Sequence, residues 1–125
     1  MKKWWLILAL LLSSSIQAQE IELSGLVMDR TLTRFGKDFV FYYSSYWRDV
    51  PQTSGVSVVI YEQVYPQAGT YLWVEMNQKK IYQTYFGRRY NDIKQKAETA
   101  IVISVNQLAQ IKADAITDEL LKQGL

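Results

Sequence analysis

The sequence contains neither cysteine nor histidine among its 125 residues. Without thiolates or imidazoles, structural zinc sites, thiolate nucleophiles and histidine-assisted catalytic triads are excluded. Disulfide bonds are excluded as well, so an apolar core and contacts with partner subunits have to stabilise a chain of this size. We therefore expect neither a metal ion nor a cofactor.

Long apolar runs are lacking except at the start of the chain. Lys2 and Lys3 are followed by an unbroken apolar run, Trp4–Leu12, and then by the segment Ser13–Ala18, which ends in a small residue. This order is typical of a secretory signal peptide, and the run is too short for a permanent membrane span. We expect residues 1–18 to be removed and residues 19–125 to be exported as one soluble domain, without membrane insertion.

An excess of charge of one sign is also lacking. The chain has 14 Lys and Arg against 12 Asp and Glu, and Lys2 and Lys3 belong to the predicted signal peptide. The remaining chain thus has as many basic as acidic side chains, which gives no support for nucleic-acid binding. Near-neutral molecules repel one another weakly, so the composition is compatible with self-association.

Strand-forming residues are concentrated in the middle of the chain. Tyr71–Met76 and Ile81–Phe86 are rich in aromatic and β-branched residues and predict a hairpin joined by Asn77–Lys80. Val56–Val64 predicts a preceding strand, joined to the hairpin by the turn Pro66–Gly69. Both faces of these strands carry large apolar groups. We expect one face to pack on helices and the other to be covered by another molecule.

Helical spacing precedes and follows these strands. Apolar residues recur every three or four positions in Thr31–Arg48, with Asp29 or Thr31 as the cap and Gly36 as a close packing contact. Arg88–Lys112 predicts a second helix, although its β-branched cluster Ala100–Val105 is also compatible with a buried strand.

The two ends of the exported domain have weaker patterns. Gln19–Met28 suggests an edge strand or an extended arm, and Ala113–Leu125 a short helical or frayed tail, with residues 114–125 as a possible flexible segment. The predicted fold is α+β: an antiparallel three- to four-stranded sheet with two main helices packed on one face.

Catalytic constellations are scarce. The best carboxylate pair is Glu62 with Glu75 on neighbouring predicted strands, and Ser44-Ser45 has no histidine to act as its base. Carboxylates on strands are usually solvent-facing, so we expect no catalytic residues. A binding module that uses tyrosine and tryptophan is the stronger alternative.

The order and spacing of many single residues and dipeptides resemble the CsgE family of curli assembly components. The matching positions extend over nearly all of residues 19–125: Gly25, Leu26, Asp29, Thr31, Gly36, Asp38, Phe39, Ser45, Trp47, Gly69, Trp73, Asn77, Gln78, Tyr82, Gln83, Thr84, Tyr85 and Asp92. The chain departs from the family at Ala68, where an aromatic residue is common, and at Gly87–Tyr90, where an apolar, proline-containing segment is usual.

The resemblance implies a non-enzymatic role in the periplasm. Members of the family form a nonameric ring that caps the curli secretion channel of the outer membrane. They also bind curli subunits, direct them to the channel and hinder premature amyloid assembly. For this chain, the resemblance thus implies the channel, the curli major subunit and other copies of itself as partners. The rival function, a generic periplasmic peptide- or sugar-binding module, predicts a monomer with a concave aromatic site.

Aromatic and arginine side chains are enriched at the centres of protein interfaces, which gives a set of candidate interaction residues. These candidates are Trp47, Trp73, Tyr82, Tyr85, Phe86, Arg88 and Arg89. Core packing is favoured over contact for Trp47 and Trp73. Arg88-Arg89 fits a solvated helix start as well as it fits an interface.

Overall fold

Four strands and two helices make up the described part of the chain. The computed structural model describes residues 25–87 and 92–124, so the predicted signal peptide and the candidates Arg88 and Arg89 lie outside the described residues. The elements follow in the order β1 (Val27–Arg30), α1 (Arg34–Trp47), β2 (Val58–Tyr65), β3 (Gly69–Met76), β4 (Lys79–Phe86) and α2 (Ile93–Lys122). The predicted α+β class, with a sheet of three to four strands and two main helices, is confirmed: the sheet has four strands.

The four strands form one sheet in the order β1-β2-β3-β4, and the sheet is mixed. β2, β3 and β4 are antiparallel neighbours, as predicted. β1 is parallel to β2, with Val27 opposite Val58, so the prediction of a purely antiparallel sheet is wrong. Parallel neighbours need a long crossover, and α1 supplies it. The weak alternation in Gln19–Met28 suggested an edge strand or an extended arm but contained no information on the direction of a strand.

The β3–β4 connection is tighter than predicted. It consists of Asn77 and Gln78 alone, both with positive φ (49° and 69°), the geometry of a two-residue hairpin turn. Lys79 and Lys80, which we had placed in the turn, are the first residues of β4. Asn77 also ties the turn to the start of β2, since its side-chain oxygen accepts a hydrogen bond from the backbone N–H of Ser57 at 3.0 Å.

Helix α1 begins three residues later than predicted because its cap is Thr33. The Thr33 hydroxyl accepts a hydrogen bond from the backbone N–H of Gly36 at 3.2 Å, and Asp29 and Thr31, our predicted caps, bond to each other instead. The predicted apolar face is present, because Phe39 and Tyr43 are fully buried. Gly36 is a close packing contact, as predicted: a Cβ there would lie 2.5 Å from the Glu62 Oε1.

Helix α2 is longer than predicted. It starts at Ile93, where the Asp92 carboxylate accepts a hydrogen bond from the Gln95 N–H at 3.2 Å, and it continues through the predicted tail to Lys122. The cluster Ala100–Val105 is helical, which settles the open choice between helix and strand. Ala97, Ala100, Ser104 and Leu108 are its buried residues, whereas residues 113–122 are exposed throughout.

The core lies on one side of the sheet, where both helices pack. Alternate residues of β2 and β3, including Ile60, Leu72 and Val74, point to that side and are fully buried. The helices are joined by a buried hydrogen bond between the Tyr43 hydroxyl and Ser104 Oγ at 2.8 Å. Neither described helix covers the opposite side of the sheet.

Candidate protein-binding surface

Aromatic side chains dominate the side of the sheet that faces away from the helices. Strand alternation places Tyr61 of β2 and Trp73 of β3 on this side, directly opposite each other. Tyr71 and Tyr85 are opposite each other on β3 and β4 and lie on the same side. We call this side the open face; its principal residues are Val59, Tyr61, Tyr65, Tyr71, Trp73, Lys80 and Tyr85.

Trp73 is the centre of a stacked cluster on the open face. Its ring centroid lies 5.1 Å from that of Tyr61 and 5.2 Å from that of Tyr71, with interplanar angles of 15° and 28°. The Lys80 ammonium lies 5.3 Å above the Trp73 ring and 5.4 Å above the Tyr71 ring, which is cation–π geometry. Cross-strand aromatic pairs stabilise a sheet and hold these rings in place. The cluster is therefore an ordered apolar surface that carries one positive charge.

The Tyr71 hydroxyl orders the same surface through polar contacts. It donates a hydrogen bond to Gln83 Oε1 at 2.5 Å and accepts one from Lys80 Nζ at 3.2 Å. Because the tyrosine hydroxyl both donates and accepts, the lysine and the glutamine are fixed by a single group. These polar groups are thus paired with one another, and the rings around them offer a partner mainly aromatic surface.

Two hollows adjoin at the end of the sheet where β2 turns into β3. The first, of about 280 Å³, lies between the start of α1 and this turn, and Phe35, Val64, Tyr65 and Phe86 are among its lining residues. The second, of about 370 Å³, opens on the open face and is lined by Tyr65, Ala68, Tyr71 and Tyr85. Tyr65 lines both. We call the pair the hairpin-end hollows.

Local backbone geometry explains why the hollows lie at this end. Gly69 has φ 121°, and a Cβ there would lie 2.2 Å from the carbonyl oxygen of Phe86. Only glycine allows β3 and the end of β4 to approach so closely. The approach sets Tyr65 beside Tyr85, with ring centroids 6.4 Å apart and planes 23° from parallel. The stacked tyrosine pair forms one wall of the second hollow.

A buried carboxylate fixes the helix that borders the first hollow. Glu62 is only 7% exposed, and its Oε1 accepts hydrogen bonds from the backbone N–H groups of Leu32 at 2.6 Å and Thr33 at 2.8 Å. Its Oε2 accepts from the hydroxyls of Thr33 and Thr70. Burial alone would raise the pKa of Glu62, but the hydrogen bonds from Thr33, Leu32 and Thr70 outweigh burial and lower that pKa. Glu62 therefore remains charged and anchors the start of α1 to β2.

The candidate interaction residues are divided between the two sides of the sheet. Trp73 and Tyr85 lie on the open face, and Tyr85 is 45% exposed. Tyr82 lies on the helix side and stacks on Phe39 at 6.2 Å, and burial raises its pKa. Phe86 is fully buried, although it forms part of the floor of the first hollow. Among the described candidates, the structure thus brings Trp73 and Tyr85 together on one face.

Trp47, the remaining described candidate, is a core residue at the end of α1. It is 4% exposed, and its indole N–H donates a hydrogen bond to the carbonyl of Gly25 at 3.0 Å. This contact attaches the segment before β1 to the helix layer. Core packing, the alternative that the sequence favoured, describes its position.

Sequence reasoning missed Tyr61, Tyr65, Tyr71 and Lys80 as surface residues. Alternation within single strands indicated part of this surface, because it places Tyr61 on the same side as Val59 and Tyr71 on the same side as Trp73. The register between strands was needed to show that these positions form one face. Lys80 was missed because the turn was predicted to extend to this residue, whereas β4 begins at Lys79.

The carboxylate pair considered for catalysis is not assembled. Glu62 points to the helix side of the sheet and Glu75, opposite Val59, to the open face. In residues 25–87 and 92–124, no group of acidic side chains is arranged to hold a metal ion. Over the same residues, neither helix is apolar enough over a sufficient length to cross a membrane.

Comparison with known proteins identifies a family. No curated protein matches the chain. The family described as "Curli assembly protein CsgE" matches residues 23–123, which include every described strand and both described helices. The match extends over most of the sequence and confirms the resemblance drawn from single residues and dipeptides. The chain therefore belongs to the CsgE family of curli assembly proteins.

Proposed function

We propose that this protein is a periplasmic accessory factor of curli secretion. It binds curli amyloid subunits, directs them to the secretion channel of the outer membrane, caps that channel and hinders premature fibre formation. Membership of the CsgE family supports the curli assembly role. The observation that carries the subunit-binding part is the pair of hairpin-end hollows, lined by Phe35, Tyr65, Tyr85 and Phe86.

The chemistry of the hollows suits an unfolded amyloid subunit. Such a subunit is extended and presents side chains together with unpaired strand backbone. Hollows with mostly apolar walls bind protruding side chains and gain free energy from burying apolar surface. Tyr65 and Tyr85 are 41% and 45% exposed, so their rings are accessible to a partner while they remain stacked on each other.

A holder of amyloid subunits also has to avoid adding strands to its own sheet. The edge strand β1 has only four residues, which is short for strand addition. At the other edge, Lys96 of α2 donates hydrogen bonds to the Tyr85 carbonyl oxygen and to the Thr84 hydroxyl, both at 2.9 Å. A helix that covers an edge strand hinders edge-to-edge pairing. Side-chain capture in the hollows, without strand templating, is the binding mode that this arrangement favours.

A fibre-growth assay tests the proposal. The purified protein is added at substoichiometric to equimolar amounts to a curli major subunit while amyloid dye fluorescence is followed, and its mass is measured in solution. We expect a longer lag phase and a large oligomer, with the nonamer as the expected size. A strict monomer without effect on the lag would overturn the proposal and favour a peptide- or sugar-binding module that uses the second hollow.

The channel part of the proposal has its own test. The curli secretion channel is reconstituted in detergent, and binding of the protein is followed by a shift in the mass of the complex. We expect one oligomer of the protein to bind per channel. Failure to bind, with the lag phase still lengthened, would remove the channel-capping part and leave the subunit-binding part in place.

A further inference from the structure

Helix α2 has a second apolar stripe on the side that faces away from the core. Val102 and Ile116 are each 61% exposed, Leu120 is 47% exposed and Val105 is 40% exposed. At 100° per residue these positions fall on one side of the helix, with Ala109 and Ala113 between them. We call Val102, Val105, Ala109, Ala113, Ile116 and Leu120 the outer stripe. The core residues Ala100, Ser104 and Leu108 lie on a different side.

An apolar stripe on the outside of a surface helix is unusual, because that side is ordinarily polar. The outer stripe extends over 18 residue steps, which at 1.5 Å per residue is about 27 Å. The strands β2, β3 and β4 have eight residues each. At about 3.3 Å per residue, such strands are about 26 Å long. The uncovered helix stripe and the uncovered sheet face therefore match in length.

We propose that the outer stripe of one copy packs lengthwise on the open face of the next copy, over Tyr61 and Trp73. This inference rests on the proposed function, since it names the surfaces through which the protein assembles. Within one copy the contact is impossible, because α2 lies on the helix side of its own sheet and the open face is on the opposite side. Each copy covers one neighbour and is covered by another, a head-to-tail arrangement that closes into a ring when the rotation fits.

Charge supports the pairing of these two surfaces. The exposed end of α2 carries Asp114, Asp118 and Glu119 against the single lysine Lys122. On the open face, Lys80 lies above the aromatic cluster, and Arg30 is opposite Tyr61 in the β1–β2 register. Glu75 also points to this face, which leaves it one net positive charge against the acidic helix end, and this favours the heterologous contact.

The contact also leaves room for a subunit client. The helix covers the central rings of the open face, whereas the first hairpin-end hollow lies on the helix side of the sheet, between α1 and the β2–β3 turn. The first hollow thus lies outside the contact, whereas the second opens on the open face. Client binding in the first hollow and self-assembly can therefore be impaired separately.

Cross-linking with single cysteines tests the contact directly. The natural sequence has no cysteine, so each introduced thiol is unique. Ala109→Cys places a thiol on the outer stripe and Val59→Cys places one on the open face. One variant carries a mass tag, and a short bis-maleimide is added to each variant alone and to their mixture. We expect cross-linked dimers of one tagged and one untagged chain in the mixture and none with either variant alone.

Two outcomes would overturn the inference. Cross-links within the Ala109→Cys variant alone would show that outer stripes meet each other, and an oligomer without cross-links in the mixture would show that assembly uses other surfaces. If the natural protein assembles and lengthens the lag phase while the mixture gives no cross-links, this inference fails and the proposed function stands. If the cross-links form but fibre growth is unaffected, the proposed subunit binding fails and the contact stands.

A matched pair of substitutions adds a test that does not depend on cross-linking. Ile116→Lys introduces a charge into the apolar outer stripe, and Thr117→Lys introduces the same charge on an exposed neighbouring position outside it. We expect Ile116→Lys to raise the protein concentration needed for assembly by about tenfold or more. Thr117→Lys should leave it unchanged. Equal behaviour of the two variants would contradict the proposed contact.

Discussion

The carboxylate of Glu62 accepts a hydrogen bond from the backbone N–H of Thr33 at 2.8 Å, and this contact joins the middle of the sheet to the start of α1. The first N–H groups of a helix have no partner within the helix, and here a side chain from a strand supplies one. Thr33 and the residues after it line the first hairpin-end hollow. The position of that hollow is thus set by a buried charge as well as by apolar packing.

Replacement of Glu62 should destabilise the fold. Glu62→Gln keeps the shape of the side chain but removes the charge that strengthens its hydrogen bonds. Its amide NH₂ replaces one of the two carboxylate oxygens, and an NH₂ group at Oε2 could not accept the hydrogen bonds from the Thr33 and Thr70 hydroxyls. We expect the free energy of unfolding to fall by about 2 kcal/mol. Urea unfolding at neutral pH measures the difference. An unchanged midpoint would show that Glu62 does not anchor α1.

The same residue predicts a pH dependence. Because the pKa of Glu62 is lower in the folded state than its ordinary value of 4.5, its charge stabilises the fold above that value. The stabilisation is lost as the pH falls through the lower folded-state pKa. We expect the difference in unfolding free energy between the natural protein and Glu62→Gln to shrink on acidification below about pH 4.5. A difference that stays constant down to pH 2 would contradict the assignment.

Gly36→Ala should destabilise the protein, although alanine is normally the better residue within a helix by about 1 kcal/mol. A Cβ at this position would lie 2.5 Å from the Glu62 Oε1 and 2.7 Å from the Thr31 Cβ, so the backbone or both neighbours have to move. We expect a loss of about 2 kcal/mol in urea unfolding. In a Glu62→Ala background, the cost should become smaller because one of the two clashes is absent. Stabilisation by Gly36→Ala in the natural background would refute the close contact.

The buried bond between Tyr43 and Ser104 predicts an asymmetry between two substitutions. Ser104 donates its only hydroxyl proton to the Ala100 carbonyl at 2.7 Å, so Tyr43 is the donor in the bond between them. Tyr43→Phe removes one bond and should cost about 1 kcal/mol, whereas Ser104→Ala leaves a buried tyrosine hydroxyl unpaired and should cost about 2 kcal/mol. Thermal or urea unfolding measures both values.

The control for this pair is Tyr46→Phe, because the Tyr46 hydroxyl bonds Glu98 at the surface. Its loss should leave the unfolding free energy nearly unchanged. Burial also raises the pKa of Tyr43 to about 12. The stabilisation from the neutral phenol is complete below the ordinary tyrosine pKa of 10.0 and is lost as the pH rises towards 12. Tyr43→Phe should therefore reduce the loss of stability in that range.

Charged substitutions at Tyr85 and Phe86 should have opposite consequences, although the two residues are adjacent. Phe86→Asp places a carboxylate among Phe35 and Phe39, where it has no solvent, so we expect unfolded or aggregated protein. Tyr85→Asp changes an exposed side chain, so the far-UV circular dichroism and the unfolding midpoint should stay close to those of the natural protein. Soluble, folded Phe86→Asp would contradict the placement of Phe86 in the core.

The sequence predicted the classes of element well because periodicity and turn residues are local signals. The hairpin around Asn77 and the apolar face of α1 with Phe39 and Tyr43 follow from patterns of a few residues. The parallel pairing of Val27 with Val58 could not be predicted in this way, since both orientations bury the same side of a strand. The Thr33 cap was missed because three nearby residues, Asp29, Thr31 and Thr33, have suitable side chains.

The candidate surface was predicted only in part, because a binding surface depends on register. Tyr82 and Tyr85 are three residues apart and therefore point to opposite sides of β4, which separates residues that seemed one cluster in the sequence. The hollow beside Tyr65 needs the turn, the close approach of Gly69 to Phe86, and the small side chain of Ala68 together. None of these contacts is local enough to appear as a motif.

If the hairpin-end hollows hold a curli subunit, loss of their exposed rings should weaken binding more than loss of an exposed ring elsewhere. The double variant Tyr65→Ser, Tyr85→Ser removes the exposed stacked pair, and Phe41→Ser removes a 66% exposed aromatic ring from α1, on the helix side of the sheet. Both variants should remain folded, because each substitution lies at the surface. Each is added to a curli major subunit at the same ratio as the natural protein, and the lag phase of fibre growth is measured.

We expect Phe41→Ser to lengthen the lag phase as much as the natural protein does, and the double tyrosine variant to lose most of that effect. The oligomeric mass of each variant is measured beside it, because Tyr65 and Tyr85 also lie on the open face. A folded double variant that delays fibre growth as strongly as the natural protein would contradict the assignment of the hollows as the subunit-binding site.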